Sequence, residues 1–584
     1  MRRAAQLRTI DRWRYLSVAV ALGLLPVVAL WHTAGLQVFE HGDKGARFLQ
    51  HQGDARTLRV RPVPAYRGVI TDRNGEPLAV STAVVTLWAN PQELLESGKS
   101  LDPLARRLGV PLAKLREGLD QNAEREFMYL ARRLAPSDAN PVLDLKLKGV
   151  YGRDEYKRFY PAGETTAQLV GFTNIDDRGQ EGLELAYDQW LTGVPGERRV
   201  LQDRNTRVIK DLELIRSEKP GNDLVLSIDL RLQYLAYREL RAALEEHRAA
   251  TGSVVMLDAR TGEVLAMVSL PSYNPNARGA GEGNALRNRP ITDMIEPGSV
   301  MKPFTMVAAL ESGRFRPDTP VDTAPGSIRF GDKIYKDPHS YGLLDLTGVL
   351  AKSSQVGTTK VAMTLDADNI RNVFDRVGFG HSPGTGFPGE GPGDLPSRRK
   401  WAPVEHASLA FGYGLTVTPL QLASAYLVLA NDGIRRPVTL LRQDPGTPPA
   451  AGERVIDAKI AGEILVMMRA VVERGTGTHA EIPVYAAAGK TGTTHKVGAG
   501  GYEQHHYRSL FAGLAPAAAP RLVTVVVVDD PQVGGYFGGA VAAPVFARVT
   551  SGALRLLNVP PPAAPPHGGD ATAAAAARIG AGAG

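Results

Sequence analysis

Hydrophobic residues cluster most strongly near the amino terminus of the chain. Residues 15–31 are almost entirely apolar, and weakly polar residues extend this segment to Phe39. A length of about 22–25 residues is sufficient for a helix that crosses a bilayer. Trp13, Tyr15 and Trp31 stand where aromatic side chains meet the two membrane interfaces. The pattern therefore predicts a transmembrane anchor over residues 15–39.

The residues before this segment are strongly basic. Arg2, Arg3, Arg8, Arg12 and Arg14 are opposed by a single acid, Asp11. Because positive flanks stay on the cytoplasmic side, residues 1–14 are expected to be a cytoplasmic tail, and everything after the anchor is expected outside the cytoplasm. The alternative is a cleaved signal peptide. No small-x-small cleavage site follows the apolar run, which favours an uncleaved anchor.

The next region, residues 40–220, alternates short β-like runs with charged helical stretches. Residues 69–70 and 84–88 are typical of strands, and residues 101–122 are typical of a helix. We find no catalytic constellation here. This region is predicted to be a non-catalytic mixed α+β domain.

The pattern changes at residue 221. Asp229 is a plausible N-cap for a helix with apolar residues at helical spacing. Residues 253–257 and 264–268 predict two strands joined by a tight turn, and residues 522–528 predict a buried strand near the end of the region. Strands from both ends of one region predict an α/β domain over residues 221–558, an antiparallel sheet flanked by helices. Residues 559–584 are mostly Pro, Ala and Gly, which predicts a disordered tail.

Composition excludes several chemistries. The chain has 584 residues and no cysteine, so disulfides, thiolate metal sites and cysteine nucleophiles are ruled out. The formal net charge is +7, and the basic amino-terminal tail supplies more than half of it. No basic stripe remains to predict nucleic-acid binding. No pattern calls for a metal or a cofactor.

A Ser-x-x-Lys pair is the first candidate for catalysis. Ser299 and Lys302 precede a helical run and share one helix face. A serine hydroxyl needs a base to become a nucleophile, and a lysine serves as that base when burial lowers its pKa. A second pair, Ser397 and Lys400, follows a loop rich in Pro and Gly and is interpreted as solvated surface.

Two further motifs strengthen the hypothesis that Ser299 is the nucleophile. Ser353, Ser354 and Gln355 form the first, and Lys490, Thr491, Gly492 and Thr493 form the second, after a run of small residues. Small residues at a strand edge permit close approach of another backbone, and an extended peptide can pair there. Three such elements in this order are the motif set of penicillin-binding proteins and class A β-lactamases.

The chain resembles the class B penicillin-binding proteins, specifically the septal (FtsI-type) peptidoglycan D,D-transpeptidases. The resemblance extends over residues 15–550. Beyond the three motifs, it rests on residues 67–79, 158–161 with 182–184, 411–421 and 536–545. It implies a pedestal domain before a penicillin-binding transpeptidase domain.

The resemblance also implies residue roles. Ser299 is expected to be the acylated nucleophile, Lys302 its base and Ser353 a proton relay to the leaving group. Lys490 is expected to lower the pKa of Lys302. With Thr491, Gly492 and Thr493 it is also expected to bind the terminal carboxylate of the substrate. The backbone N–H groups of Ser299 and Thr493 are expected to form the oxyanion hole.

Gln355 departs from the family pattern, which has Asn at this position. It is expected to contact the substrate amide, but the extra methylene moves its amide group by about 1–1.5 Å, and a displacement of that size is enough to affect catalysis. Two alternatives therefore stay open. One is a division-complex scaffold with weakened catalysis, and the other is a membrane-anchored serine β-lactamase.

Two other patterns carry little weight. His505 and His506 have no partner at metal-ligand spacing and are interpreted as a surface loop. Residues 497–501 are glycine-rich but lack the Lys-Ser/Thr of a phosphate loop, and are expected to form a flexible loop beside the site.

The expected substrates are peptidoglycan stem peptides ending in D-Ala-D-Ala, and β-lactams are the expected inhibitors. The resemblance implies further partners, the septal glycan polymerase and other division-complex membrane proteins. The expected location is the bacterial inner membrane, with the catalytic domain in the periplasm.

Overall fold

The first helix is long and apolar. The computed structural model describes residues 11–37, 57–202, 208–277, 283–498 and 500–561. Helix α1 spans Arg12–Gln37, and its Arg12–Ala34 part has the length and composition to cross a membrane. Its large apolar side chains are exposed, as a lipid-facing helix requires. The expectations for residues 1–10, for the end of the anchor beyond residue 37 and for residues 562–584 lie outside the described residues.

The remaining helices are short to medium in length. In chain order they are α2 (Pro91–Glu96), α3 (Asp102–Leu108), α4 (Leu112–Gln121), α5 (Pro136–Leu143), α6 (Ala167–Val170), α7 (Gly182–Ala186), α8 (Asp188–Leu191), α9 (Leu230–His247), α10 (Arg289–Thr292), α11 (Lys302–Glu311), α12 (Leu346–Ala351), α13 (Gln355–Ala362), α14 (Ala367–Arg376), α15 (Pro403–Ala410), α16 (Pro419–Ala430), α17 (Ala458–Arg474) and α18 (Gly538–Leu556).

The strands are distributed along the whole described chain. They are β1 (Leu58–Val63), β2 (Ile70–Thr71), β3 (Pro77–Ala89), β4 (Met128–Leu134), β5 (Val150–Phe159), β6 (Phe172–Thr173), β7 (Gly179–Glu181), β8 (Gly196–Gln202), β9 (Val208–Arg216), β10 (Leu224–Val225), β11 (Thr251–Asp258), β12 (Val264–Leu270), β13 (Pro320–Asp322), β14 (Ser327–Phe330), β15 (Lys333–Lys336), β16 (Leu343–Asp345), β17 (Ile434–Arg435), β18 (Glu453–Arg454), β19 (Ala488–Gly498), β20 (Gly501–Ala515) and β21 (Leu522–Asp529).

The described chain forms two compact units. The first contains the described residues 11–37, 57–66, 83–156, 193–202 and 208–220. The second contains residues 67–82, 157–192, 221–277, 283–498 and 500–561. The two units therefore alternate along the chain, because residues 67–82 and 157–192 belong to the second unit although they precede residue 221.

The first unit contains an antiparallel sheet of β1, β8 and β9. Helices α2 to α5 contribute Leu94, Leu104, Leu119 and Val142, respectively, to its core. Residues 101–122 are largely helical as predicted, and they form two helices, α3 and α4. Gly109 ends α3 in a left-handed conformation, and Pro111 stands immediately before α4.

The second unit is built on a five-stranded antiparallel sheet in the order β12-β11-β21-β20-β19. Successive residues of β11 enter different core clusters, with Val254 in one and Val255 in the other. Both faces of the sheet are therefore covered, which explains the continuous apolar run predicted for β21. Helices α9 and α18 cover one face, and α11, α16 and α17 pack on the other. Asp229 caps α9 as predicted, since its carboxylate accepts from the backbone N–H of Arg231.

A buried ionic cluster holds the early segments within the second unit. Glu184 accepts from Arg67 Nε and from Arg158 Nε, each at 2.6 Å, and all three side chains are at most 1% exposed. Asp188 binds Arg67 Nη1 at 2.7 Å. Buried charges of this kind are tolerated only when they are paired, so each partner depends on the others.

Candidate active site

Ser299 lies in a tight turn at the start of a core helix. Residues Gly298–Met301 form a 3₁₀ turn that continues directly into α11. Most side chains of α11 are apolar, and all except that of Glu311 are buried, so the helix is anchored on every side. Lys302 is the first residue of α11 and its side chain is completely buried. Ser299 itself is partly exposed and lines an open cleft of about 730 Å³.

Ser353 connects two buried lysines. Lys302 Nζ donates to the Ser353 carbonyl oxygen at 2.6 Å and to Ser353 Oγ at 3.2 Å. Lys490 Nζ donates to the same Oγ at 2.9 Å. A hydroxyl group both accepts and donates, so Ser353 provides a path for a proton between the lysines and the cleft. The structure thus brings together residues from the three sequence motifs.

Burial changes the acid–base properties of both lysines. Removal from water lowers the pKa of Lys302 to about 7, and the negative charge of Asp337 opposes this shift. The pKa of Lys490 is lowered well below its usual value, first by burial and then by the charge of Lys302. At neutral pH the Lys302 amine is therefore able to take up a proton, as a general base must.

Asp337 organises the second motif, and the sequence analysis did not identify it. Its carboxylate accepts from Ser354 Oγ at 2.5 Å and from the backbone N–H of Gln355 at 2.6 Å. Ser354 in turn caps α13 by accepting from the N–H of Gly357. Ser353 has a left-handed backbone with φ of +55°, which is costly for a residue other than glycine. Asp337 and Ser354 hold the adjoining chain in place, so they stabilise this conformation.

Gln355 is the first residue of α13, and its side chain lines the cleft together with Ser299 and Ser353. Its contact with the substrate amide stays a prediction. Next to Gln355, the hydrogen bonds from Lys302 and Lys490 to Ser353 are present.

Strand β19 carries the third motif at the edge of the sheet. Among the described strands it pairs with β20 alone, with Lys490 opposite Ala512 and Thr493 opposite Ser509. Thr491 and Thr493 line the cleft. Their hydroxyls are held by Thr476 Oγ1 at 2.7 Å and by the N–H of Gly538 at 3.0 Å, respectively.

Gly492 has a packing role that its motif position did not reveal. A Cβ atom there would lie 3.0 Å from Val300 Cγ1 and 3.1 Å from the Pro297 carbonyl oxygen. The absence of a side chain therefore lets β19 approach the turn that carries Ser299.

Aromatic side chains also line the cleft. Tyr507 and Tyr536 stack at 3.9 Å, and Phe537 packs against Tyr536. Tyr413 lines the cleft as well. The sequence analysis did not predict these roles, because isolated aromatic residues carry no spacing signal.

The weaker sequence candidates lie elsewhere. His505 and His506 are exposed on β20, so their interpretation as a loop is wrong. His506 Nδ1 lies 2.8 Å from Asp530. Residues 498–501 connect β19 to β20, with Ala499 outside the described residues. The stretch from Ser397 to Lys400 is exposed and not helical. Within the described ranges, no three His, Asp or Glu side chains are placed to hold a metal ion.

Comparisons with known proteins identify both parts of the chain. Residues 252–551 match the penicillin-binding protein transpeptidase domain, and residues 62–226 match the penicillin-binding protein dimerisation domain. The probable peptidoglycan D,D-transpeptidase PbpC of Pseudomonas aeruginosa is 43% identical over 94% of this chain and 96% of its own length. The peptidoglycan D,D-transpeptidase FtsI of Escherichia coli is 43% identical over 94% of this chain and 92% of its own.

Solved structures agree with this result. The crystal structure of penicillin-binding protein 3 from Mycobacterium tuberculosis, complexed with aztreonam, has a TM-score of 0.66 and 28% identity, and the match covers 87% of this chain and 99% of that one. The transpeptidase domain of penicillin-binding protein 3 from Burkholderia pseudomallei is 40% identical, with a TM-score of 0.53. That match covers 58% of this chain and 98% of that one.

Proposed function

The chain belongs to the class B penicillin-binding proteins, which join a dimerisation domain to a transpeptidase domain, and we propose that it cross-links peptidoglycan stem peptides through an acyl-enzyme on Ser299. The observation that carries the proposal is the buried Lys302, with a pKa of about 7, connected through Ser353 to Lys490. This arrangement provides a base for the serine and a path for its proton.

The first half-reaction follows from these positions. Lys302 takes the proton of Ser299, and Ser299 Oγ attacks the carbonyl carbon between the two terminal D-Ala residues. The N–H groups of Ser299 and Thr493 stabilise the oxyanion. Ser353 passes a proton to the departing D-Ala amine, and the C–N bond breaks. An amine of a second stem then attacks the ester and restores Ser299.

Recognition of the donor peptide is assigned to the edge of β19. An extended peptide pairs with a free strand edge through its backbone. Thr491 and Thr493 stand at this edge and offer two hydroxyl groups to the terminal carboxylate. Lys490 is buried beside them and donates to Ser353. Gly492 keeps the edge close to Ser299.

Location and partners follow from the family and from α1. We place α1 in the inner membrane as a single anchor, with the amino terminus in the cytoplasm and the catalytic unit in the periplasm. We divide the chain into a tail over residues 1–14, an anchor over 15–39, a pedestal domain over 40–220, a transpeptidase domain over 221–558 and a tail from 559. The relatives named FtsI support a role at the division septum, beside a glycan polymerase and other division proteins.

Labelling with a fluorescent penicillin tests the proposal against both alternatives. The full-length protein in detergent is expected to form one adduct that persists for many minutes. Rapid loss of the label would indicate a β-lactamase. If none of several β-lactams labels the protein and a thioester stem mimic gives no cross-link, the result supports the scaffold alternative.

A further inference from the structure

A second cavity adjoins the cleft that contains Ser299. It has a volume of about 290 Å³ and shares Tyr413 with the cleft. We call it the side cavity. The charged and aromatic side chains that line it are Lys333, Arg398, Trp401, Glu405, Tyr413 and Tyr502.

The wall between the cleft and the side cavity is fixed to the nucleophile turn. The carbonyl oxygen of Gly412 accepts from the N–H of Gly298 at 3.0 Å. The N–H of Gly414 and the hydroxyl of Tyr502 both donate to Glu296 Oε1 at 3.0 Å. Tyr413 therefore stands between two residues that are bonded to the chain just before Ser299. Tyr413 is therefore a wall that the side cavity and the cleft have in common.

The charge of the side cavity favours anionic ligands. Lys333 and Arg398 line it, and Glu405 is the one carboxylate that lines it among the described residues. Arg398 Nε lies 3.4 Å from Glu405, and both side chains are about half exposed, so the pair is weak. Arg399 and Lys400 are exposed immediately beyond Arg398 and add to the positive field.

The side cavity also has aromatic surface. Tyr502 is 50% exposed, and the indole N–H of Trp401 is fixed by Asp368 at 3.0 Å. Fixed aromatic rings provide contact area for a peptide chain at a low entropic cost. A positive field also disfavours protonation of a nearby amine. This field lowers the pKa of an amine that approaches through the cavity.

We propose that the side cavity binds the carboxylates of the acceptor stem peptide and directs the amine of that peptide past Tyr413 to the acylated Ser299. This inference rests on the proposed function. The amine nitrogen attacks the ester carbon, the bond from that carbon to Ser299 Oγ breaks, and the amine proton returns to Oγ through Lys302 and Ser353. An amide bond forms and free enzyme results. The stretch around Arg398 thus serves acceptor binding, not nucleophilic attack.

The test compares acceptors that differ only in charge. A D-Ala thioester stem mimic acylates the full-length protein in detergent, and the released thiol reports acylation. Two acceptor peptides with the same amine are supplied, one with free carboxylates and one with carboxamides. The ratio of aminolysis to hydrolysis products measures acceptor use without depending on the acylation rate.

We expect the wild type to prefer the carboxylate acceptor. Arg398→Ala and Lys333→Ala are each expected to weaken use of that acceptor about three- to tenfold, with less than a twofold effect on the carboxamide. Arg398→Glu is expected to reverse the preference. Arg435→Ala removes an arginine of comparable exposure that is paired with Glu453, and it is the matched control.

The outcomes separate this proposal from the one on which it rests. If the wild type releases no thiol, the proposed function fails and acceptor binding fails with it. If thiol is released and all three side-cavity variants keep the wild-type preference, or lose both acceptors equally, only the acceptor site is overturned.

Discussion

Lys490 Nζ donates to Ser353 Oγ at 2.9 Å, although the two residues are 137 positions apart in the chain. The contact joins the edge strand of the sheet to the segment between α12 and α13. Lys302 reaches the same hydroxyl from the core helix α11. Three elements thus meet at one oxygen atom, and the site depends on all of them being folded.

Ser299→Ala is expected to abolish covalent penicillin binding and leave the fold intact, because the hydroxyl is partly exposed and small. Mass spectrometry of the labelled protein should show one adduct on the peptide that contains Ser299. Ser397→Ala, which alters the other Ser-x-x-Lys pair, is the matched control and should label normally. An adduct on Ser397 would reverse this assignment.

Lys302→Arg is expected to be nearly as damaging as Lys302→Ala. A guanidinium keeps the charge but does not release its proton near neutral pH, so the general-base contribution of about 10²–10⁴ is lost. The acylation rate constant is the measurement. Lys459→Arg, at an exposed position, should have no effect. An arginine variant that acylates at more than about a tenth of the wild-type rate would show that Lys302 acts only through its charge.

Acylation is expected to rise with pH, with its midpoint near the Lys302 pKa of about 7, because the base acts in its neutral form. Asp337→Asn removes a charge that raises this pKa, so the rise should move to lower pH. The rate on the plateau should fall about tenfold, because the bond from Ser354 is weakened. Asp332→Asn, on an exposed residue of the same region, should leave the profile unchanged. A profile that keeps its midpoint in the Asp337 variant would leave Asp337 with a purely structural role.

Gln355→Asn is expected to change the second-order acylation rate constant by no more than about tenfold. One lengthened neutral hydrogen bond is worth about 0.5–1.5 kcal/mol. Stopped-flow or gel-based acylation with several β-lactams provides the comparison. If no β-lactam acylates the wild type and only the asparagine variant is acylated, the native protein is not an active enzyme.

Glu184→Gln is expected to destabilise the second unit by about 3–5 kcal/mol, because Arg67 and Arg158 are left buried without their common carboxylate. Thermal unfolding of the full-length protein should show this as a clear loss. Glu197→Gln breaks an exposed pair with Arg216 at 2.9 Å and should cost less than about 1 kcal/mol. Equal effects of the two substitutions would contradict the assignment.

The sequence predicted those parts of the fold that depend on local patterns. The apolar run of α1, the paired strands β11 and β12 and the buried strand β21 were recognised because composition and period determine them. The three motifs of the candidate site were recognised by order and spacing. The helical pattern of residues 101–122 was recognised as well, and Gly109 and Pro111 mark where it divides into α3 and α4.

Other features depend on tertiary contacts and left no local signal. Asp337 lies in a polar stretch between β15 and β16, and only the folded chain shows that it binds the second motif. The left-handed conformation of Ser353 is equally hidden, because serine has no preference for it. The alternation of the two units along the chain could not be predicted either, since it involves the distant pairing of Arg67 with Glu184.

The open edge of β19 has a consequence for solubility as well as for chemistry. A strand edge with free backbone groups invites pairing with the sheets of other molecules, which leads to aggregation. Here the edge faces the cleft and is bordered by the nucleophile turn and by Gly538 at the start of α18. These neighbours stand in the way of another folded sheet, whereas a single extended chain needs less room beside the edge. The protein therefore keeps an unpaired strand without offering a template for its own aggregation.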